Sequence, residues 1–572
     1  MSRIFTSKQR AWRFSVEGLL MVAIAISVLL RLLNLGSREL WYDEALSVLL
    51  SNGQWNSYPA LGADPVPLVD FQAVLNLPAL TGLAGALLTV KSLLQGLAND
   101  PHPPLSYLSL HVWMRLFGQS DALLRSLVAL ISLVAVGSIY GLGRCRLGHR
   151  GGLILAALLA TNPFYLSHSL NLRMYGSLLL WTILSAWALL ELMQARGRGA
   201  KFSMPLLGWS VLLVSSVAAG LLTQYLFAYW VVTLAVLVLL LSWQLNQQRW
   251  WHPSAIWPVV LLGVGGGLAV PWFLWGTLQQ LRNRGDVLKQ IATPEGATTI
   301  ALRHGQNVAK TLGSQLVIGD WTPSLPLFAV LVLGLGAIAV LTFCTHQLWQ
   351  KGDQQLPAIA LILGIFPLLL ALTVDIITGK FTVGFGWGRS IIFILPGCLF
   401  LIALWLQRLL QRPQAIAVSA ILLLYLSVSI SDLSLRDRRM FQTVGAWIGA
   451  DRSAQLPAKD IAPNLVAVNS KARGYVLRIA RYFPPTGQDR ILALPAAKLA
   501  PALESTLAAE TPAYQQVLWL DLFDPVWSAP STDADRQAMQ AVLDDQYQLA
   551  KQQDLSGTME EDRFTASLYV RR

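Results

Sequence analysis

The sequence predicts a polytopic α-helical membrane protein with about eleven transmembrane helices and a small C-terminal extracytoplasmic α/β domain. Of the 572 residues, 54% are hydrophobic and only 13% are charged, and long apolar runs recur between residues 16 and 431. The mean hydropathy of +0.51 differs strongly from that of an average soluble domain. From about residue 432 charges become dense and apolar runs shorten. We therefore expect a membrane domain over 1–431 and an extracytoplasmic domain over 432–572.

The first apolar run, residues 16–33, is long enough to cross a bilayer, and no small-residue cleavage site follows it before Trp41. We interpret it as a retained signal-anchor helix. The other predicted spans are apolar runs at 122–143, 151–166, 176–193, 205–222, 225–243, 255–275, 325–343, 357–378, 389–406 and 414–431.

Lysine and arginine cluster in the N-terminal segment and in the loops after the second, fourth and tenth predicted spans. These residues are Arg3, Lys8, Arg10, Arg13, Arg144, Arg146, Arg150, Arg196, Arg198, Lys201, Arg408 and Arg412. Because positively charged loops stay on the cytoplasmic side, the N-terminus is predicted to be cytoplasmic and the tail extracytoplasmic. The same bias accounts for much of the net charge of +12, and no basic helix accompanies it, so no nucleic-acid partner is expected.

Two long outer loops are predicted, at about 36–120 and 275–323, and loops of this length are usually functional or disordered. In the first loop, the stretches 73–94 and 105–117 are apolar but too short or too broken to span, so we expect interfacial helices. In the tail, helical patterns alternate with strand-like runs, without a Gly-rich phosphate loop or a His or Cys cluster. A structural or partner-binding role is expected for it.

Asp43 and Glu44 directly follow the first span. An acidic pair at that depth is costly unless it lies in a watery, protein-lined site, so it is a candidate catalytic site. Neighbouring residues on a helix point about 100° apart, so we expect one carboxylate to meet substrate while the other braces the fold.

Asp100 and His102 lie in the segment Asn99-Asp100-Pro101-His102-Pro103-Pro104-Leu105. Proline forces extended geometry on the residue before it and suits the first turn of a helix, so the segment is predicted to be a rigid entry into a helix from residue 105. Asp100 and His102 then point in fixed directions. A surface histidine is the open alternative for His102.

The order of these motifs, with Arg115-Leu116-Phe117-Gly118 and Arg125 after them, resembles the GT-C glycosyltransferases. More narrowly, it is similar to the group of protein O-mannosyltransferases and lipid A aminoarabinose transferases, which is like bacterial glycosyltransferase family 39. Further matching pieces are Asn162-Pro163-Phe164, Arg173-Met174-Tyr175, Thr223-Gln224-Tyr225 and Arg389. The resemblance covers most of residues 15–410.

The resemblance implies a GT-C-like fold and an inverting hexosyl- or pentosyltransferase that moves a sugar from a polyprenyl-phosphate donor to a lipid, glycan or protein on the outer side of the cytoplasmic membrane. It implies a catalytic role for Asp43, and we predict Glu44 and Asp100 as further catalytic residues. Bacterial relatives often carry an acidic residue and a histidine where this chain has Asn171 and Gln224. A divalent metal ion (Mg, Mn or Zn) bound by Asp43, Asp100 and His102 remains an open alternative.

The expected chemistry needs a base for the acceptor proton and positive charge for the leaving lipid phosphate. Asp43 suits the first task. Arg173 and Arg389, each near the outer end of a span, suit the second, and with His102 and Tyr175 they are the predicted substrate-binding residues. Interface anchoring is the alternative for each arginine. A transporter or flippase is the rival class, but the spans show no two-half repeat with matching Gly or Pro breaks.

Overall fold

The structure is a computed structural model that describes most of the chain. The described residues are 2–79, 82–197, 203–245, 253–283, 297–350, 354–436, 438–450, 463–484, 488–509, 514–557, 559 and 562–572. Arg198 and Lys201, two of the positive loop residues, lie outside them.

The described α-helices, in chain order, are α1 (Ser2–Leu33), α2 (Tyr42–Ser51), α3 (Leu68–Val74), α4 (Gly82–Leu97), α5 (Leu105–Phe117), α6 (Asp121–Thr161), α7 (Pro163–His168), α8 (Tyr175–Gly197), α9 (Met204–Thr223), α10 (Phe227–Leu245), α11 (Pro253–Trp272), α12 (Leu278–Asn283), α13 (Ala297–Gly313), α14 (Leu327–Trp349), α15 (Gln355–Gly364), α16 (Phe366–Thr378), α17 (Leu395–Gln407), α18 (Gln411–Leu435), α19 (Met440–Ala450), α20 (Arg473–Tyr482), α21 (Ala496–Ala509) and α22 (Asp533–Gln546). The strands are β1 (Val66–Pro67), β2 (Asn464–Val468), β3 (Arg490–Ala493), β4 (Gln516–Leu522), β5 (Tyr547–Ser556) and β6 (Arg563–Arg571).

The chain divides into two compact units. The first comprises residues 1–35, 97–106 and 125–434, and we call it the membrane unit. The second comprises residues 36–96, 107–124 and 435–572, and we call it the α/β unit. The segments 36–96 and 107–124 of the first outer loop thus fold in one unit with the tail.

The chain is a multi-pass membrane protein. Ten helices among the described residues are long and apolar enough to cross a membrane, one fewer than the eleven spans expected. The difference arises in α6, where two helices joined at a kink are counted as one; the second and third predicted spans, 122–143 and 151–166, lie on either side of that kink. Gly148 breaks this helix with φ 75°, a conformation that suits glycine. Within the membrane unit, α17 is buried along nearly its whole length.

The second outer loop is more regular than the sequence indicates. The span α11 continues through a π-helical turn at Phe273–Thr277 into α12, and Ala297–Gly313 is helical. Residues 284–296 of this predicted loop lie outside the described part. The described part of the loop predicted at about 275–323 is therefore largely helical.

The α/β unit contains a six-stranded sheet in the order β1-β3-β2-β4-β6-β5. Strand β2 pairs in parallel with β3 and β4, and the other pairs are antiparallel. Strands β2 and β4 are buried at every position, as expected when both faces of a sheet are covered. The strand-like runs at 465–468, 517–520 and 567–570 are confirmed within β2, β4 and β6. Strand β1 comes from the first outer loop.

A buried ion cluster lies in the same unit. Arg478 bonds to Glu39 Oε1 at 3.1 Å and to Asp562, and all three side chains are almost fully buried. Glu39 also accepts hydrogen bonds from the backbone N–H groups of Phe441 and Gln442 at the start of α19. Burial raises the pKa of the Glu39 carboxyl to about 7.

We expect Arg478→Met to destabilise the α/β unit by about 3–5 kcal/mol, because two buried carboxylates lose their cation. The loss should be larger at pH 8 than at pH 6. Burial holds the folded pKa of Glu39 above its unfolded value, so stability falls as pH rises through that interval, and removing the cation extends the fall to higher pH. Thermal unfolding of the purified full-length protein measures both effects.

Arg536→Met is the matched control. Arg536 is about one-third exposed and pairs with Asp521 and Asp533, so its removal should cost at most about 1 kcal/mol. Equal losses in the two variants would contradict a special role for the buried cluster.

Candidate active site

Asp100 and His102 form a short local hydrogen-bonded pair in the membrane unit. Asp100 Oδ1 lies 2.7 Å from His102 Nδ1 and accepts the backbone N–H of His102 at 3.1 Å. Pro101 and Pro103 restrict the backbone around them, as the sequence predicts. The Asp100 side chain is 10% exposed and that of His102 is 24% exposed, so the imidazole is the more accessible of the two.

Arg173 completes a chain of three groups. Its Nη2 lies 3.2 Å from His102 Nε2. It also lies 3.5 Å from His102 Nδ1. The Asp100 carboxylate only accepts hydrogen bonds, so the imidazole carries a proton on Nδ1 that points at Asp100. We call this arrangement the Asp100–His102–Arg173 relay. It fixes the tautomer of His102 and balances the Asp100 carboxylate with a guanidinium that is itself buried.

The backbone of Arg173 is fixed locally as well. Its N–H donates to Asn171 Oδ1 at 3.0 Å. The amide oxygen of Asn171 thus stabilises the turn that leads into α8. Nearby, Asn162 caps α7 by accepting the N–H of Tyr165, with Pro163 at the first helical position.

Gln280 and Tyr225 hold the relay segment in place, and the sequence did not single out Gln280. Gln280 Nε2 donates to the carbonyls of Leu97 and His102, each at 3.0 Å. Gln280 Oε1 accepts from the Tyr225 hydroxyl at 2.7 Å. Tyr225 in turn accepts from Trp272 Nε1 at 2.9 Å, and burial raises its pKa, so it remains a donor at neutral pH.

Arg389 lies in a segment of unusual backbone at Phe385–Ile394. Gly384, Gly386, Trp387 and Gly388 all have positive φ, which is strained for a tryptophan. A Cβ on Gly386 would collide with Arg389 Nε, so glycine is required for the guanidinium to lie across this turn. Strain held in such a loop is typical of functional sites.

The Arg389 guanidinium lies 5.8 Å from the ring centroids of Tyr175 and of Phe385. The structure therefore brings together Tyr175 and Arg389, two of the predicted substrate-binding residues. The backbone of this loop is anchored by Gln315, whose Nε2 donates to the Gly388 carbonyl at 2.9 Å. Arg389 is partly exposed, whereas Tyr175 is buried.

Asp43 and Glu44 belong to the α/β unit and lie in the first turn of α2. Glu44 is fully buried, and its Oε2 accepts the backbone N–H of Trp41 at 3.1 Å, which closes the start of the helix. Asp43 is only partly buried, one residue earlier on a different side of the helix. In this geometry Glu44 stabilises the start of α2, and Asp43 is better placed to contact substrate.

Asp100 and His102, two of the three residues considered as metal ligands, are not arranged as such in the described part of the chain. Asp100 and His102 bond to each other, and the Arg173 guanidinium beside His102 Nε2 opposes a cation at that nitrogen. Within the described ranges, no group of three or more His, Cys, Asp or Glu residues is arranged to hold a metal ion. We therefore derive no chemical step through a metal.

Comparisons with known proteins place these residues in context. Residues 101–275 match the family described as dolichyl-phosphate-mannose-protein mannosyltransferase, and this stretch contains His102, Arg173, Tyr175 and Tyr225. No curated protein matches the sequence.

The fold is similar to that of ArnT from Cupriavidus metallidurans. The ArnT structure bound to undecaprenyl phosphate aligns with a TM-score of 0.52 at 12% identity and covers 96% of this chain and 98% of that one. Its apo structure gives 0.51 at the same identity and coverage. An Archaeoglobus fulgidus oligosaccharyltransferase in complex with Zn and sulfate gives 0.43 at 12% identity, covering 87% of this chain and 67% of that one.

Proposed function

We propose that this chain is a GT-C membrane glycosyltransferase that transfers a sugar from a polyprenyl-phosphate-linked donor to an acceptor on the outer side of the cytoplasmic membrane. The Asp100–His102–Arg173 relay carries the proposal, because it presents an oriented guanidinium within a GT-C fold. The similar ArnT structure holds undecaprenyl phosphate, which supports a donor of this lipid class. The transferred group is a hexose or pentose, and the acceptor is a lipid, a glycan or a protein.

The proposed reaction is a single displacement that inverts the anomeric carbon. A hydroxyl oxygen of the acceptor bonds to that carbon as its bond to the phosphate oxygen breaks. The hydroxyl proton passes to the carboxylate of Asp43, and the polyprenyl phosphate leaves with the bonding electron pair. Sugar, proton and lipid phosphate are all accounted for without a further reactant.

Arg173 and Arg389 are assigned to the leaving phosphate. Negative charge grows on that phosphate as the sugar departs, and a guanidinium can meet two phosphate oxygens at once. His102 orients Arg173, and Asp100 in turn fixes the tautomer of His102. The ring of Tyr175 supports Arg389. In this scheme Asp100 acts through His102 rather than on the substrate.

The described residues offer nothing that favours the transporter alternative. Analysis of lipid-linked sugars in a strain that lacks this chain tests the transferase most simply. We expect a polyprenyl-phosphate sugar to accumulate and one envelope glycan or glycolipid to lose a sugar residue. An unchanged lipid-linked pool together with unchanged envelope glycans would overturn the proposal.

Topology provides a separate prediction. The proposal requires a cytoplasmic N-terminus and an extracytoplasmic α/β unit, as the distribution of Lys and Arg indicates. A reporter that works only outside the cytoplasmic membrane should be active when fused after Arg572, and a cytoplasmic reporter fused there should be silent. The reverse pattern would put Asp43 on the side opposite to the expected acceptor and contradict the proposal.

Replacement of Arg389 tests the phosphate assignment. Arg389→Lys keeps the charge but loses the planar fork, so donor use should fall about tenfold, the value of one charge-assisted hydrogen bond. Arg389→Ala should be worse and Arg389→Glu worst, because it repels the phosphate. Transfer rates at varied donor concentration measure this order.

The control is Arg412→Lys, since Arg412 is exposed at the start of α18 and has no assigned role. It should transfer sugar at the parent rate. If all three Arg389 variants also kept the parent rate, Arg389 would be only an interface anchor.

A further inference from the structure

The start of α20 is packed against the start of α2 within the α/β unit. The rings of Tyr42 and Tyr475 meet edge to face with centroids 5.2 Å apart. A Cβ on Gly474 would collide with the ring of Tyr42, so only glycine allows this close approach. The helix turn that carries Asp43 is therefore fixed against the first residues of α20.

Arg473, the first residue of α20, projects a guanidinium onto two aromatic rings. Its Cζ lies 4.2 Å from the ring centroid of Trp55 and 4.6 Å from that of Tyr58. Its Nη1 also donates to the Trp55 carbonyl at 3.3 Å. No carboxylate of the described residues forms an ion pair with it, and burial lowers its pKa. The rings hold this cation in place without neutralising its charge.

The hydroxyl of Tyr58 is the second unusual group. It is buried and has no hydrogen-bond partner among the described residues. Buried hydroxyl groups normally have a hydrogen-bond partner, so a buried hydroxyl without one beside a cation suits an acceptor oxygen of a ligand. Burial raises the pKa of Tyr58, which keeps the proton on the phenol. Arg473 interacts electrostatically with the phenols of both Tyr58 and Tyr42.

These groups share one chemistry. The guanidinium is a pure donor, the Tyr58 phenol carries a proton with no acceptor, and both are positioned by stacked rings. A ligand that suits them must present acceptor oxygens and negative charge, as a phosphate or a carboxylate does.

We propose that Arg473 and Tyr58, with Tyr42, form a subsite for a phosphate or carboxylate group carried by the sugar acceptor. Tyr42 directly precedes Asp43, the residue assigned to take the acceptor proton, whereas the lipid phosphate is assigned to Arg173 and Arg389 of the membrane unit. The assignment of the bound anion to the sugar acceptor rests on the proposed function. The prediction that these residues bind an anion does not depend on it.

Binding of small soluble probes to the purified full-length protein tests the subsite without turnover. Glucose 6-phosphate and galacturonate are the anionic probes, and glucose is the neutral one, each followed by saturation-transfer difference NMR. We expect both anionic probes to bind more tightly than glucose. Arg473→Gln should weaken their binding about tenfold or more, and Tyr58→Phe, which keeps the ring, about fivefold. Arg572→Gln, an exposed arginine in the same unit, should bind like the parent.

Equal binding of anionic and neutral probes by the parent protein would overturn the subsite, as would unchanged binding by Arg473→Gln. Competition with undecaprenyl phosphate shows whether the bound anionic group belongs to the acceptor or to the lipid donor. If undecaprenyl phosphate displaces the soluble probes, the group held is the donor phosphate and the assignment to the acceptor is wrong. If the probes bind as expected but the protein transfers no sugar to any acceptor, the proposed function fails while the anion subsite stands.

Discussion

Purified Asp43→Asn protein is expected to transfer sugar about 10² to 10⁴ times more slowly than the parent protein, the usual cost of losing a general base. Asparagine keeps the shape and hydrogen bonding of the side chain but cannot take the acceptor proton. Insertion into the membrane and donor binding should persist, because the change touches neither a span nor a residue assigned to the phosphate. Transfer from the lipid-linked donor measures the rate.

Two further variants make this result specific. Asp64→Asn removes an exposed carboxylate from the same unit and should leave the rate unchanged. Glu44→Gln should affect transfer less than Asp43→Asn, since Glu44 serves the start of α2 by accepting the Trp41 N–H. Loss of a general base lowers the rate by at least about 10². If Asp43→Asn kept more than about a tenth of the parent activity, its loss of rate would be too small for a base, and the assignment would move to Asp100.

Arg173→Gln is expected to lower the transfer rate by about 10² to 10³, the loss typical of removing one donor that meets developing charge. The variant also removes the guanidinium that contacts His102. His102→Gln should cost less than Arg173→Gln, because the guanidinium keeps its charge and loses only its orientation. Rates at saturating acceptor and varied donor concentration distinguish the two.

The order of these two losses tests the relay. If His102→Gln impaired transfer more than Arg173→Gln, His102 would act on the substrate itself and not through the arginine. If neither variant changed donor use, the relay would be a structural feature of the segment that enters α5.

Much of the architecture could be predicted because it depends on local patterns. Apolar runs mark membrane helices by length alone, and the two runs at 122–143 and 151–166 correspond to the two parts of α6 on either side of Gly148. The prolines around Asp100 and His102 indicate a rigid segment, but the hydrogen bond between the two side chains is seen only in the structure. Strands β2 and β4 were visible as short apolar runs in a polar tail.

The missed features depend on contacts between distant parts of the sequence. The two-residue strand β1 ends in a proline and has no strand pattern of its own, and it exists because β3 supplies the partner. The bonds from Gln280 to Leu97 and His102 span more than 170 residues. The cluster of Glu39, Arg478 and Asp562 likewise joins three segments that no spacing rule connects.

Reconstitution of the purified protein into vesicles with its accumulated lipid-linked donor and a candidate acceptor tests the central claim most directly. The account predicts that one sugar becomes covalently attached to the acceptor for each polyprenyl phosphate released. It also predicts that the Asp43→Asn protein forms almost none of this product. Sugar that crosses into the vesicle lumen without forming a covalent product would contradict the account and indicate a carrier.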